Sequence, residues 1–225
     1  MPIFVISLGG SVVTSDPLDI KFIKRFSAMI GNAGKGNKFC IVIGGGKLAR
    51  SYINALREAG VNDNILDEIG INATRMNALS VAPFLGDCNT KIPTTINEAA
   101  EMTRIYRCVI MGGTEPGHTT DTVAALLAER VGAKVIINGT SVDGVYERDP
   151  RKYSDAKKLK TLGYDEAVSM AVVGSLGAGP NVFMDVTSLN IARRSKIRIV
   201  VIDGRDVEQY EKVINGMDHS GTTIS

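Results

Sequence analysis

Phe39-Cys40-Ile41-Val42-Ile43-Gly44-Gly45-Gly46-Lys47-Leu48-Ala49-Arg50 is the stretch from which the fold is read. A short continuous apolar run suits a buried strand, and here it opens into three glycines and then a helical segment, Lys47–Glu58. Such a turn sets backbone N–H groups and a helix N-terminus where an anion can sit. Glycine suits the turn because a Cβ blocks close approach of a phosphate and because positive φ is open to it. Lys47 and Arg50, three residues apart, reach from the first turn toward the same anion. The triplet equally serves a plain strand-to-helix turn, and it matches neither the G-x-x-x-x-G-K-[ST] nor the G-x-G-x-x-G phosphate signature. Repetition strengthens the anion reading. Gly9-Gly10-Ser11 follows the apolar strand Ile3–Leu8, and Gly112-Gly113-Thr114 follows the apolar strand Arg107–Met111. In an open parallel sheet these strand ends share one edge, where ligands bind.

Bulk properties fit an enzyme of modest size. The 225 residues allow one domain or two closely joined lobes with a sizeable core. Lys+Arg 26 against Asp+Glu 24 gives no basic or acidic surplus, so composition points to no nucleic-acid or membrane surface. The basic run Arg148–Lys160 reads as a solvated face. Cys40, Cys88 and Cys108 are unclustered in sequence, lack metal-ligand spacing and read as reduced core residues. With no signal-peptide pattern and no apolar stretch near the ~18 residues of a membrane span, the expectation is a soluble cytoplasmic protein.

Along the chain, strands and helices alternate. Asp19 caps a helix whose apolar positions Phe22, Ile23, Phe26, Met29 and Ile30 follow 3–4 spacing, and residues 31 to 36 close it. Leu48, Tyr52, Ile53 and Leu56 share one face of the helix from Lys47. Asp63–Leu85 reads as a longer helix with Ile65, Ile69, Ala73, Met76 and Leu79 inward. Further strands are expected at Ile92–Ile96, Lys134–Asn138 and Ile197–Ile202, and helices at Thr120–Val131, Tyr164–Val173, Val186–Ser195 and Val207–Asn215. This alternation predicts an α/β protein, a largely parallel sheet covered on both faces. No internal repeat or flexible linker interrupts it, and the softest boundary lies near Asn138–Lys160.

Two more segments carry chemistry. Residues 112–121, Gly-Gly-Thr-Glu-Pro-Gly-His-Thr-Thr-Asp, lead hydroxyl-bearing side chains into a helix. Thr119 and Thr120 suit an ordinary N-terminal cap and equally offer hydroxyls to a second anion. His118 has no obvious Asp or Cys partner and reads as a loop residue; His219 carries less still. In Thr140-Ser-Val-Asp-Gly-Val-Tyr146-Glu-Arg-Asp149-Pro150, Asp143-Gly144 makes a turn, while Tyr146 and Asp149 have no explanation in turn chemistry.

Together these segments resemble the amino-acid kinase superfamily from end to end, and within it the archaeal-type uridylate (UMP) kinases. The resemblance rests on Gly-Gly-Ser at 9–11, Gly-Gly-Gly-Lys-Leu-Ala-Arg at 44–50 and Asp-Glu-Ile-Gly-Ile-Asn-Ala-Thr-Arg-Met-Asn-Ala at 67–78. It continues through 112–121, Val-Asp-Gly-Val-Tyr and Asp-Pro within 142–150, and Gly-Thr-Thr-Ile at 221–224. It implies a single domain, residues 1–225, with the amino-acid kinase fold: a three-layer α/β/α sandwich around a mainly parallel sheet. The N-terminal part would bind the acceptor and the C-terminal part ATP. The implied reaction is transfer of the γ-phosphoryl group of Mg-ATP to UMP, giving UDP for pyrimidine nucleotide synthesis, with ATP and Mg²⁺ as cofactors.

Residue by residue, Gly9, Gly10, Gly46 and Arg50 would face the ATP phosphates, and Thr140, Tyr146 and Asp149 the adenosine part. Gly45, Asp67 and the run Gly113, Thr114, Glu115, Pro116, Gly117, His118 and Thr119 would receive UMP, with Asp67 suited to ribose hydroxyls. Many relatives carry a Lys just before the first Gly-Gly, where this chain reads Ile6-Ser7-Leu8, so Lys47 or Arg50 would compensate. Asp121 would organise cations or Mg²⁺, or cap its helix. Asp185, where acetylglutamate kinases often carry a Lys, argues against that acceptor. Isopentenyl phosphate kinases, which place a His at the position of Arg50, carbamate kinases and a nucleotide- or amino-acid-sensing module are the alternatives. The resemblance also implies a homo-oligomer, a hexamer built from dimers, with no nucleic-acid or membrane partner.

Overall fold

The computed structural model describes residues 1–14, 18–150, 152–175 and 183–225. In chain order the elements are β1 (Ile3–Leu8), α1 (Gly10–Val13), α2 (Ile20–Ala33), β2 (Lys38–Ile43), α3 (Gly46–Glu58), α4 (Asp63–Val81), α5 (Ile96–Met102) and β3 (Cys108–Met111). Then come α6 (Thr120–Val131), β4 (Val135–Thr140), β5 (Val145–Tyr146), β6 (Lys158–Leu159), β7 (Thr161–Leu162), α7 (Tyr164–Ser175), α8 (Val186–Ser195), β8 (Arg198–Asp203), α9 (Val207–Ile214) and β9 (Thr222–Ile224).

Seven strands form one sheet in the order β3-β2-β1-β4-β8-β9-β7. The first five in that order run parallel; β9 pairs antiparallel with β8 and parallel with β7. Strands buried on both faces need continuous apolar runs rather than alternation, and Val5–Leu8, Phe39–Ile43 and Cys108–Met111 supply them. One apolar layer packs α5–α8 residues such as Ala99, Val123, Leu127, Ala171 and Leu189 against Val5, Val42 and Ile136. The other packs Phe22, Phe26, Val81 and Tyr210 against Ile6, Ile41 and Ile137. The three-layer α/β/α architecture is as expected. The chain passes from β1 to β2 and β3 on one side and returns to place β4 on the other. That reversal leaves a crevice outside the C-terminal ends of β1 and β4, the favoured ligand position in such sheets.

Several local readings hold. Asp19 Oδ1 accepts a bond from Phe22 N at 2.9 Å, and all five apolar positions named for α2 are buried. The closing Gly-Thr-Thr-Ile becomes β9. The basic run is solvated and paired: Arg148 with Asp155 at 2.8 Å, Lys158 with Asp143 at 2.8 Å, Lys160 with Asp218 at 2.7 Å. Arg151 lies outside the described residues.

Two readings are corrected. Ile92–Ile96 is not a strand; Ile96 starts α5. Thr95 Oγ1 accepts from Glu98 N at 3.1 Å, and Glu98 reaches back to accept from Thr94 N at 2.9 Å. That S/T-x-x-E box, with Pro93 before it, outweighs the β-leaning residues. On α4 only Ala73 of the five positions expected inward is buried. Ile65, Met76 and Leu79 are exposed (46%, 53% and 54%), whereas Leu66, Ile71, Ala73, Thr74, Asn77, Ala78 and Val81 are buried. The buried face is partly polar, so apolar spacing alone selects the wrong side. Tyr52 on α3 is likewise exposed.

The glycine turns interlock. A Cβ on Gly10 would meet Gly46 N at 2.1 Å and Gly44 O at 2.5 Å, both rigid backbone atoms. Gly46 itself has φ +63°, in the region that favours glycine. Gly10→Ala is therefore expected to lower the melting temperature by ~6 °C or more, whereas Gly31→Ala, in α2 with nothing within 4 Å of its Cβ position, should raise it by roughly 1–4 °C. Thermal scans of the two variants check the contrast.

Candidate active site

The expected site residues gather at the C-terminal edge of the sheet. Gly9 N donates to Gly139 O at 2.9 Å and Gly44 N to Leu8 O at 2.9 Å, so the turn after β1 is tied to the end of β4 and the turn after β2 to the end of β1. Gly9 and Gly10 meet Gly44 and Gly46 here, with Thr140 beside Gly9. Lys47 and Arg50 lie exposed on the first turn of α3.

Next to this backbone cluster is an open pocket of about 210 Å³ lined by residues that include Gly45, Asp67, Gly113, Glu115, His118 and Thr119. Thr114, Pro116 and Gly117 belong to the same loop but do not line it. Asp67 Oδ2 accepts from Gly117 N at 2.9 Å, so one oxygen of that carboxylate holds the loop. Tyr146, in β5, and Asp149, on the connection from β5 to β6, do not line this pocket. Tyr146 donates to Asp143 Oδ1 at 2.8 Å, and Asp149 is buried.

Helix α4 holds the loops together through groups that the apolar pattern hides. Asn77 Nδ2 donates to Gly44 O at 2.8 Å and Gly45 O at 3.1 Å. Thr74 Oγ1 accepts from Gly113 N at 2.6 Å. Arg75 donates from Nε to Gly113 O at 3.1 Å and from Nη2 to Thr114 O at 3.0 Å. The signal that finds these residues is polarity on a buried helical face, since an apolar position filled by Asn or Thr must have a partner.

A carboxylate pair completes the site. Ser7 Oγ, in β1, donates to Asp121 Oδ1 at 2.7 Å. Asp185 caps α8 by accepting from Ser188 N at 2.9 Å, and it also accepts from Thr119 Oγ1 at 2.5 Å and Thr122 Oγ1 at 2.9 Å. Thr119 in turn caps α6, accepting from Thr122 N at 3.1 Å. Its hydroxyl proton is thus committed to Asp185. Burial pushes the Asp121 carboxyl up to about 6, the Ser7 bond opposes this, and the charge of Asp185 adds to it. No described ion pair relieves it. Two neighbouring carboxylates with no described cation form a locus that favours positive charge.

The Amino acid kinase family pattern matches residues 2–203, and the chain belongs to that family of phosphotransferases. Over 220 residues the chain is 54% identical to the uridylate kinase of Thermoplasma volcanium, covering 98% of this chain and 96% of that protein. It is 42% identical to that of Archaeoglobus fulgidus, covering 98% and 99%. The crystal structure of uridylate kinase from Archaeoglobus fulgidus superposes with a TM-score of 0.89, covering 100% of both chains at 41% identity. The UMP kinase of Ureaplasma parvum, at 23% identity and TM-score 0.81, shares the fold over 100% of this chain and 98% of its own.

Arg75 makes two charge-assisted bonds to the Gly113–Thr114 backbone, worth roughly 1.5–3 kcal/mol each where fully formed. Arg75→Ala should lower kcat/KM for the phosphoryl acceptor about tenfold or more while leaving the KM for the donor within about twofold. Steady-state kinetics with each substrate varied in turn reads this out; unchanged acceptor kinetics would show that the backbone alone holds the loop.

Proposed function

We propose that the chain transfers the γ-phosphoryl group of ATP to the phosphate of UMP, releasing UDP and ADP. The observation that carries this reading is the end-to-end likeness to uridylate kinases, 54% identical in one case across 98% of the chain. In this reading residues 1–225 act as one domain, with the acceptor held mainly by the N-terminal part and ATP over the C-terminal part. Its place is the cytoplasm, in pyrimidine nucleotide synthesis. Among the described residues no helix is long and apolar enough to cross a membrane.

Phosphoryl transfer asks the protein for in-line alignment and for stabilisation of charge on the moving group. The amides of Gly9, Gly10 and Gly46, with Arg50, face the ATP phosphates, and Thr140, Tyr146 and Asp149 the adenosine part. Gly45, Asp67 and Gly113–Thr119 receive UMP. Asp67, whose Oδ2 is engaged by Gly117 N, has its second oxygen left for a ribose hydroxyl. Lys47 and Arg50 supply the positive charge that Ser7 does not.

Among the described residues no group of three or more His, Cys, Asp or Glu forms a protein-only metal cage. Mg²⁺ is bound by one or two carboxylates plus substrate phosphates, and the Asp121–Asp185 pair fits that donor set. These two residues would hold the ion, which neutralises charge on the phosphates. Asp121 therefore acts by organising the cation.

With Mg-ATP and a panel of UMP, CMP, dUMP, acetylglutamate, carbamate and isopentenyl phosphate, ADP release should be fastest with UMP by tenfold or more. Arg50→Ala should chiefly lower kcat, and an effect confined to the KM for UMP would remove Arg50 from transition-state stabilisation.

A homo-oligomer belongs to the same proposal. The exposed Ile65, Met76 and Leu79 form an apolar stripe on the outer face of α4, which supports contact with a second copy. Light scattering should give a mass near six times 24.0 kDa, and a Met76→Lys/Leu79→Glu double variant should give smaller particles; an unchanged mass would place the contact elsewhere.

A further inference from the structure

Two of the three cysteines meet at the free edge of the sheet. Cys108 opens β3, the edge strand. Along its outer side runs the segment 87–89, which pairs with it like a fragment of an eighth strand. Cys108 N donates to Asp87 O at 3.1 Å, and Cys88 and Cys108 form a parallel bridge. Asn89 extends the pairing with its side chain. Its Oδ1 accepts from Ile110 N at 2.8 Å, and its Nδ2 donates to Ile110 O at 3.0 Å and Lys91 O at 2.9 Å. The position of Cys88 is thus fixed from both sides.

Residues paired across a parallel bridge project to the same face, and neighbouring strands lie about 4.8 Å apart. That spacing falls within the roughly 4.4–6.8 Å Cα separation that a disulfide spans. Both side chains pack on the same apolar cluster, Cys108 as a buried member and Cys88 as a half-buried one. Cys40 belongs to the cluster on the opposite face of the sheet and is fully buried.

We propose that Cys88 and Cys108 form a reversible disulfide by exchange with low-molecular-weight disulfides, with Cys88 as the attacking thiol and Cys108 as the resolving one. Cys88 is the partner that solvent reaches. The hydrogen bond from the Cys108 thiol holds the Cys88 thiol below its ordinary range, while that bond and burial push Cys108 up. Burial pushes Cys40 to about 12, which keeps it protonated. The thiolate is the reacting form, so the order of attack follows. The Cys88 thiolate displaces one thiolate from the small disulfide, giving a mixed disulfide on Cys88. The Cys108 thiolate then attacks the Cys88 sulfur and expels the second small thiolate, which takes up the proton that Cys108 gives up. Two protein thiols are oxidised and one small disulfide is reduced to two thiols. The product closes a loop through α5 and staples segment 87–89 onto β3 ahead of the Gly112–Gly113 turn.

The test is to incubate the folded chain with cystamine, denature it in acid, and map its peptides without reduction. The expected result is a linked Cys88–Cys108 peptide, a fall in titratable thiols from the three that the sequence provides to one, and two cysteamines released per chain. The melting temperature should rise by about 5 °C or more and return on adding dithiothreitol. Cys88→Ser should retain its two thiols and show no rise. A mixed disulfide that persists on Cys88, a link through Cys40, or a link between chains would overturn the proposal. An unchanged melting temperature in the linked protein would overturn the staple.

Discussion

The backbone of Gly10 lies where any side chain would collide with the amide of Gly46, and the site depends on that contact. It brings the turn after β1 against the turn after β2, so amides from two strand ends converge on one small volume. The bond from Gly9 N to Gly139 O brings in the end of β4. Parallel strands place their C-terminal ends on one edge, but only the absence of Cβ atoms lets the turns pack this closely. The cost is an apolar core that must fix the register of β1, β2 and β4 without help from side chains at those ends. The uninterrupted apolar runs on both faces provide it.

Much of this was legible in the sequence because it rests on local signals. Glycine doublets and triplets after apolar runs mark strand ends, and Asp19 and Thr119 mark helix starts. What escaped rests on pairings remote in sequence. Ser7 and Asp121 are 114 residues apart, and neither carries a signal until the strand and the start of α6 are seen side by side. On α4 the apolar rule pointed outward, because Thr74, Arg75 and Asn77 spend the inner face on backbone carbonyls and amides of other loops. Ile92–Ile96 misled for the opposite reason. A local signal was present, Thr95 with Glu98, but the β-leaning composition masked it.

In the first strand Ser7 offers Asp121 a hydroxyl, a hydrogen bond without charge. Asp121 and Asp185 then face a region short of positive charge, and burial and mutual repulsion raise the Asp121 carboxyl. A carboxyl raised in this way contributes stability that is present at low pH and fades as the pH rises through about 6. At neutral pH the ionised Asp121 carboxylate is therefore held at a cost to the fold.

Helix α4 grips the glycine triplet through Asn77 and the opposite loop through Thr74 and Arg75, while its far side bares Ile65, Met76 and Leu79. The two gripped loops are therefore not independent parts. A translation of α4 carries both in the same direction and preserves the gap between them, whereas a tilt about its middle widens one end and narrows the other. The spacing of the two loops is thus set by one rigid helix, and a change in the tilt of α4 is a change in that spacing.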